Sequence, residues 1–298
     1  MQDDIAGIVA TIPPLAGFRG EALRLGGLTN RVYRLGDHIL RIPGAGTEEY
    51  IDRGREAVMA GAAAAAGVAP PLVWADPGRG LMVTGFVEGV TLTPQGFRDQ
   101  PGAPARAAAA LARLHRSGAV FPFRFELFAM IDDYLRLLAG KDVALPEGYH
   151  DVVAEAGEVR RVLALHPAPL VACHCDPLCE NFIDDGRRVW IVDWEYAGMN
   201  DPMWDLGDLS VEAQFDEAQE EAVLSAYFGG EAQAPERGRM VIYKAMCDLL
   251  WTLWGLIQLA NGNLADDFRA YADGRFARCR ALMGTAEFAR HLSAVARG

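Results

Sequence analysis

Residues 171–212 read VACHCDPLCENFIDDGRRVWIVDWEYAGMNDPMWDLGDLSVE and hold a tight set of groups suited to a metal and a phosphate: His174, Asp176, Asn181, Asp193 and Glu195. Asn181 follows Asp176 by five residues, and Asp193 follows Asn181 by twelve. The intervening text predicts a hairpin: Asn181-Phe-Ile, a turn at Asp184-Asp185-Gly186-Arg187, then Arg188-Val-Trp-Ile-Val192. Asp185-Gly186 is a strong two-residue turn signal between apolar runs. Folding back about that turn brings Val192 and Asp193 close to Asn181, with Asp176 on the loop just before the ribbon. Oxygen ligands meeting at one end of a ribbon suit Mg²⁺, which keeps waters and substrate phosphates in its shell.

This stretch resembles the catalytic segment of the protein-kinase-like small-molecule phosphotransferases, in which His-x-Asp is followed by Asn, a hairpin and a metal-binding Asp. His174-Cys-Asp176-Pro-Leu-Cys-Glu-Asn181 and Val192-Asp193-Trp-Glu195 fit that pattern. The resemblance implies that Asp176 accepts or orients the proton of an attacking hydroxyl, while Asn181 and Asp193 hold Mg²⁺ against the phosphates of ATP. Asp201-Pro-Met-Trp-Asp205-Leu and Glu212 are similar to the rest of the choline/ethanolamine kinase signature. In that family the residue matching Asp205 braces the catalytic loop. Glu195 is open between a second metal contact and a structural acceptor. Glu212 is open between a substrate contact and a surface carboxylate.

The elements that must position these groups divide in two. Residues 1–17 read as a short helix closed by Pro13-Pro14. Short strands follow at 22–25, 31–35 and 38–42, then at 72–74 and 81–87. A helix is predicted from Thr47, with Glu48 and Glu49 in its first turn, through the alanines to Gly67. Gly26-Gly27-Leu-Thr29-Asn30 is either an ordinary turn or a loop whose backbone N–H groups approach phosphates. The resemblance favours the second reading and implies nucleotide contacts from Gly27, Thr29, Asn30, Arg41, Glu56 and Glu88. Arg41 stands where protein kinases carry a lysine; choline kinases resemble this chain in using arginine there, and a guanidinium grips phosphate oxygens bidentately. Glu56 is either the carboxylate that orients Arg41 or a solvent-facing helix residue. Glu88-Gly89 reads as the hinge that meets the adenine edge. After residue 90 the text turns helical, at 103–117, 125–138 and 149–165, with His115 a helix C-terminal residue rather than a catalyst. The expectation is an α+β, protein-kinase-like fold of two lobes: residues 1–87 a small antiparallel sheet with one helix, and residues 88–298 a larger, mainly helical part.

The late run YKAMCDLLWTLWGLIQLAN (243–261) places Met246, Leu249, Leu250, Leu253, Ile257 and Ala260 on one stripe. Trp251, Trp254 and Gln258 fall about a third of a turn away, either as large core residues or as one wall of an aromatic cage. Choline kinases share Trp-x-x-Trp here, followed by a segment similar to Ala270-Tyr271-Ala-Asp-Gly-Arg275-Phe276. The resemblance implies that Trp251, Trp254 and Tyr271 receive a cationic head by cation–π attraction, with Tyr196 a further candidate.

Composition sets the outer limits. At 298 residues, 51% hydrophobic and 23% charged, the chain is long enough for two lobes and ordinary for a globular protein. A net charge of −12 argues against a nucleic-acid partner, which needs clustered Lys and Arg, and is weakly congenial to a cationic substrate. Five cysteines suggest reduced thiols and a cytoplasmic setting. Cys173, Cys175 and Cys179 flank His174, but their spacing lacks the paired C-x-x-C of a zinc site. The start has no basic n-region and apolar core, and no apolar run approaches the eighteen residues of a membrane span. A Walker A motif and a G-x-S-x-G elbow are both absent from the sequence. The reading is an ATP- and Mg²⁺-dependent phosphotransferase for a small amino alcohol, choline first. Ethanolamine, thiamine or an aminoglycoside are alternative acceptors, and a non-catalytic nucleotide-binding module is the rival class. Oligomeric state is not legible.

Overall fold

A five-stranded antiparallel sheet dominates the N-terminal part of the computed structural model, which describes residues 5–26, 30–44, 47 and 51–298. Its elements are α1 (Ile5–Ala10), β1 (Leu23–Arg24), β2 (Arg31–Leu35), β3 (His38–Ile42), α2 (Arg53–Ala65), β4 (Leu72–Asp76) and β5 (Leu81–Gly85), with sheet order β1-β2-β3-β5-β4. Gly27 and Thr29, expected in the phosphate loop, lie outside the described residues.

Strand alternation decides what faces what. Tyr33, Leu35, Leu40, Ile42, Leu81 and Val83 pack with Val9, Ile12 and Leu15 into a small core on one side of the sheet. Arg41 and Met82, paired in register, point the other way. There Met82 joins Met59, Ala60 and Ala63 of α2 in the main core of the molecule. Burying such side chains is worth about 1.5–3 kcal/mol each for the larger ones, and the same alternation aims Arg41 at α2.

α2 begins later than expected. Its N-cap is Asp52, whose carboxylate accepts the amides of Gly54 and Arg55, so the helix starts at Arg53 and not at Thr47. The Thr47 hydroxyl is used elsewhere, donating to the Gly44 carbonyl at 2.9 Å and accepting from Arg53 Nη2 at 2.7 Å.

Beyond β5, the chain continues through β6 (Val90–Thr91), α3 (Pro94–Asp99), α4 (Ala103–His115), α5 (Leu127–Leu138), α6 (Tyr149–Leu165), β7 (Val171–Cys173), β8 (Phe182–Asp184), β9 (Val189–Ile191), β10 (Gly198–Asn200), α7 (Pro202–Glu212), α8 (Glu217–Phe228), α9 (Ala234–Ala260), α10 (Phe268–Met283) and α11 (Ala286–Arg297). β6 pairs with β8, β8 with β9, and β7 with β10, all antiparallel. α9 is long and apolar enough to cross a membrane, yet it is buried inside the fold against α5, α7, α10 and α11. That enclosure corrects the expected division of its surface. Trp251 and Gln258 are buried as deeply as the leucine stripe, and of the three off-stripe residues only Trp254 keeps partial exposure. A helix packed on several sides has no face left over.

Candidate active site

The loop carrying Asp176 is held by one fully buried carboxylate. Pairing of β7 with β10 brings the start of α7 beneath the end of β7, and Asp205 in the first turn of α7 meets the loop there. Asp205 Oδ2 accepts the His174 amide at 2.8 Å and Oδ1 accepts the Cys175 amide at 2.8 Å. His115 Nε2 lies 3.0 Å from Oδ2, and its Nδ1 lies 2.8 Å from the Tyr227 hydroxyl. Trp204 Nε1 adds a bond to the Cys175 carbonyl at 3.0 Å. Cys175 has φ of +67°, a conformation side chains rarely adopt. These bonds offset that strain and fix the direction in which the chain presents Asp176. His174 turns its ring the other way. Burial lowers its pKa, so the neutral ring donates from Nε2 to the Val192 carbonyl at 2.9 Å.

The hairpin returns as the sequence predicts, about a turn shifted by one residue. Asp184 pairs with Val189 and the Asp185 amide bonds to the Arg188 carbonyl, so Gly186 and Arg187 are the two central residues. Gly186 takes φ of +84°, the glycine-first form of the hairpin turn. Asp185 is outside the turn, its carboxylate accepting the amides of Arg187 and Arg188 and the indole N–H of Trp190. At the far end the Val192 amide donates to the Asn181 carbonyl at 2.9 Å, and Asn181 Nδ2 donates to the backbone carbonyl of Asp176 at 2.9 Å. Asp193 follows with φ of +63°, and its Oδ1 is buried with no hydrogen-bond partner. Carboxylate oxygens of Glu56, Asp193 and Glu195 lie within 4.8 Å of one another. Burial first, then Glu195 and Glu56, push the Asp193 carboxyl up to about 8. Burial also raises the Asp176 carboxyl well above the usual range, with Asp208 the strongest acting charge, followed by Asp193, Glu195 and Glu212. A bare oxygen amid oxygen-only donors fits a hard divalent cation.

Strand β3 and helix α2 supply the matching cations. Arg41 Nη2 pairs with Glu56 Oε1 at 2.6 Å, while Arg41 Nη1 is buried without a partner. Arg53 donates from one Nη1 to Glu56 Oε2 at 2.8 Å and to Glu195 Oε2 at 2.9 Å. Asn30 Nδ2 also donates to Glu195 Oε2, at 3.1 Å. Glu195 therefore joins the segment that follows the hairpin to the sheet. Glu56 is a partner of Arg41 and not a solvent-facing residue, being 1% exposed. Sequence reading missed Arg53; its position one turn before Glu56 was the available signal.

Helices α7 and α9 approach so closely that a Cβ on Gly207 would sit 2.6 Å from the Met240 carbonyl. Across this contact Trp251 Nε1 donates to Asp208 Oδ2 at 3.1 Å, and the Trp251 ring stands edge-on to Tyr196, centroids 5.2 Å apart. Trp254 packs edge-on to Phe268 and Tyr271, both at 5.6 Å. The aromatic residues expected in one cage form two separate groups, one around Trp251 and one around Trp254. The Tyr271 ring carries the Arg275 guanidinium 4.6 Å from its centroid. Arg275 in turn bonds Glu212 and, at 3.1 Å, Asp248. Glu212 is thereby an ion-pair partner of Arg275 and not a free surface carboxylate. Asp208 and Asp248 went unremarked in sequence, and Arg275 was noted only as part of the segment after the tryptophans; Asp208 looks like any helix residue until α9 is packed on it.

Three comparisons bear on this geometry. Residues 21–243 match the model of the Phosphotransferase enzyme family. A crystal structure of a choline/ethanolamine kinase family protein from Mesorhizobium loti is 66% identical, covers 98% of each chain and superposes with a TM-score of 0.91. The chain belongs to the choline/ethanolamine kinase family. It is also similar to the choline kinase LicA from Streptococcus pneumoniae, at 26% identity over 94% of this chain and 99% of that one, with a TM-score of 0.81. A LicA structure in complex with AMP shares 26% identity over 97% and 98% of the two chains, with a TM-score of 0.76. The fold of this kinase-family chain is accordingly the protein-kinase-like α+β arrangement that the sequence led us to expect.

Within this kinase fold, Glu88 is exposed on the link between β5 and β6. All five cysteines are free and buried. Cys173 Sγ lies with His115 and Asp205, but the two ring nitrogens of His115 are already engaged, and His174 Nε2 bonds the Val192 carbonyl.

Proposed function

We propose that this enzyme transfers the γ-phosphoryl group of ATP to the hydroxyl of a small amino alcohol, with choline the preferred acceptor. The observation that carries the reading is the meeting of Asp176, Asn181 and Asp193 at the foot of the hairpin, with Asp193 Oδ1 left bare among carboxylates. Asp176 accepts the acceptor's hydroxyl proton or holds the hydroxyl in line; its carboxyl is at the end of a loop that Asp205 keeps from relaxing. Asn181 and Asp193 would hold Mg²⁺, which neutralises charge on the phosphates when bound. Arg41, oriented by Glu56, has one free N–H edge at Nη1 for a phosphate oxygen. Asn30, which donates to Glu195, is assigned together with Gly27 and Thr29 to the contacts with the phosphates. Glu195 positions the nucleotide side of the cleft through Arg53 and Asn30. The segment at Glu88 meets the adenine.

Trp251, Trp254 and Tyr271 line the acceptor side, with Glu212 holding Arg275 in place. LicA is named a choline kinase and is also known with AMP bound, which supports an adenine nucleotide here. Residues 1–87 act as the nucleotide-covering lobe and 88–298 as the catalytic lobe. A cytoplasmic location supplies the ATP. Ethanolamine is the second reading, and one observation favours it. Arg275 already lies over Tyr271 and Trp251 is 3% exposed, so part of the aromatic surface that a quaternary head would use is taken.

The test is ADP release by the purified chain with Mg²⁺–ATP and choline, ethanolamine, thiamine or an aminoglycoside. Choline is expected to give the highest kcat/KM. Turnover of another acceptor with choline inert would overturn the acceptor, and no turnover on any would overturn the class.

A further inference from the structure

Arg53 is a cation in an unusual place. It is the first residue of α2, where the helix dipole favours an anion, and its side chain is 10% exposed. Acceptors from four stretches of the chain offset that placement. Nη1 donates to Glu56 Oε2 at 2.8 Å and to Glu195 Oε2 at 2.9 Å, while Nη2 donates to Thr47 Oγ1 at 2.7 Å and to Asn30 Oδ1 at 3.3 Å. The stem is held as well. A Cβ on Gly80, in the turn between β4 and β5 with φ of +65°, would stand 3.3 Å from Arg53 Cγ. Glu56 and Glu195 are the two carboxylates grouped within 4.8 Å with Asp193. Arg41 and Arg53 engage both of them, and Asp193 Oδ1 is the oxygen left without a partner. Three unpaired carboxylates would attract a bare divalent cation strongly; with two of them tied to guanidiniums the attraction is weak.

We propose that Arg53 is a positioning residue that reserves the metal position for a cation arriving with the nucleotide: by pairing Glu56 and Glu195 it leaves Asp193 too little negative charge to hold Mg²⁺ alone. The proposal rests on the Mg²⁺–ATP reading above. The phosphates of ATP supply the missing negative charge, and Arg41 Nη1 is free to meet one of their oxygens. The other edge of Arg53 has a second task. Through Thr47 and Asn30 it ties two loops of the N-terminal part to the segment that follows Asp193. Were Glu195 to turn toward a bare cation, its bonds from Arg53 and Asn30 would be lost and that tie with them. A lysine could pair the carboxylates as a point charge, but it lacks the planar fork that also reaches Thr47 and Asn30.

The experiment measures two dissociation constants by calorimetry without any acceptor alcohol: Mg²⁺ alone, and ATP in excess Mg²⁺. Wild type, Arg53→Gln and Arg53→Lys are compared. Arg53→Gln should move the two constants in opposite directions. Mg²⁺ alone binds about tenfold tighter, because Glu195 is released toward it, and ATP about tenfold weaker, because a cation is gone. A brace that merely held the fold together would weaken both on removal. Adding Glu195→Gln to Arg53→Gln should cancel the gain for Mg²⁺, since that is the carboxylate set free. Arg53→Lys should keep the Mg²⁺ constant within about twofold of wild type and weaken ATP binding by a few fold. In folded Arg53→Gln, an unchanged Mg²⁺ constant or a loss parallel to that for ATP overturns the inference. Opposite shifts with no turnover of any alcohol in wild type uphold the inference and overturn the proposed function. A wild type that binds no ATP overturns both. If Arg53→Gln does not fold, Arg53→Lys decides: a Mg²⁺ constant that weakens in step with that for ATP overturns the inference equally.

Discussion

The two flanks of Asp176 are built on opposite electrostatic plans. Toward the sheet, carboxylates are matched: Glu56 holds Arg41 and Arg53, and Glu195 holds Arg53 and the Asn30 amide. Among the carboxylate oxygens of the described residues there, Asp193 Oδ1 is left over. Toward α9 the guanidiniums are consumed by Glu212 and Asp248, and Asp208 and Asp176 have no ion-pair partner among the described residues. Protein-supplied cations thus serve the side that must grip anionic phosphates, and protein-supplied anions serve the side proposed for a cationic alcohol. A buried charge left without a partner marks where a substrate or metal completes the site.

The sharpest way to break this contrast is to remove its pivot. Asp176→Ala should lower kcat by on the order of 10³-fold, while the Kd for Mg²⁺–ATP and the melting temperature hold or the latter rises, because crowding already disfavours that charge. Near-wild-type turnover would take Asp176 out of the chemistry. A middling effect concerns pH. Asp193 holds a proton that the unfolded chain has shed above its ordinary carboxylate pKa of about 4. Its contribution to stability is therefore full below that value and is lost as pH rises through about 8. Melts between about pH 5 and 9 should show the free protein weakening with pH and Mg²⁺–ATP restoring it most at the alkaline end; parallel curves with and without Mg²⁺–ATP would contradict a cation at Asp193. The smallest effects separate the tryptophans. Trp251→Phe strips Asp208 of its indole donor and should cost about 1–3 kcal/mol in denaturant melts. Trp254 Nε1 has no partner, so Trp254→Phe should stay within about 0.5 kcal/mol. Equal losses would erase the distinction between the two aromatic groups.

Chemistry carried by short spacing was legible in the chain itself. His174-x-Asp176, Asn181 and Asp193 are tied by a hairpin whose turn lies within the motif, so local rules locate them, with the turn off by one residue. Strand alternation in 31–42 and 81–85 likewise set the sheet and aimed Arg41 at α2, away from the small core on the sheet's other face. The start of α2 was misread because Thr47 and Asp52 are both good caps, and only the bond from Arg53 shows which one the fold spends elsewhere. Long-range pairings were beyond reach: Arg53 with Glu195 spans 142 positions, and Trp251 with Asp208 spans 43. The periodicity of α9 predicted one buried stripe, and the tertiary structure enclosed the helix on several sides. A sequence determines which groups a turn or a strand brings together, since those distances are set by the backbone. Which buried charges end with partners and which are left for a ligand depends on packing between distant elements, and that is decided only when the helices close on one another.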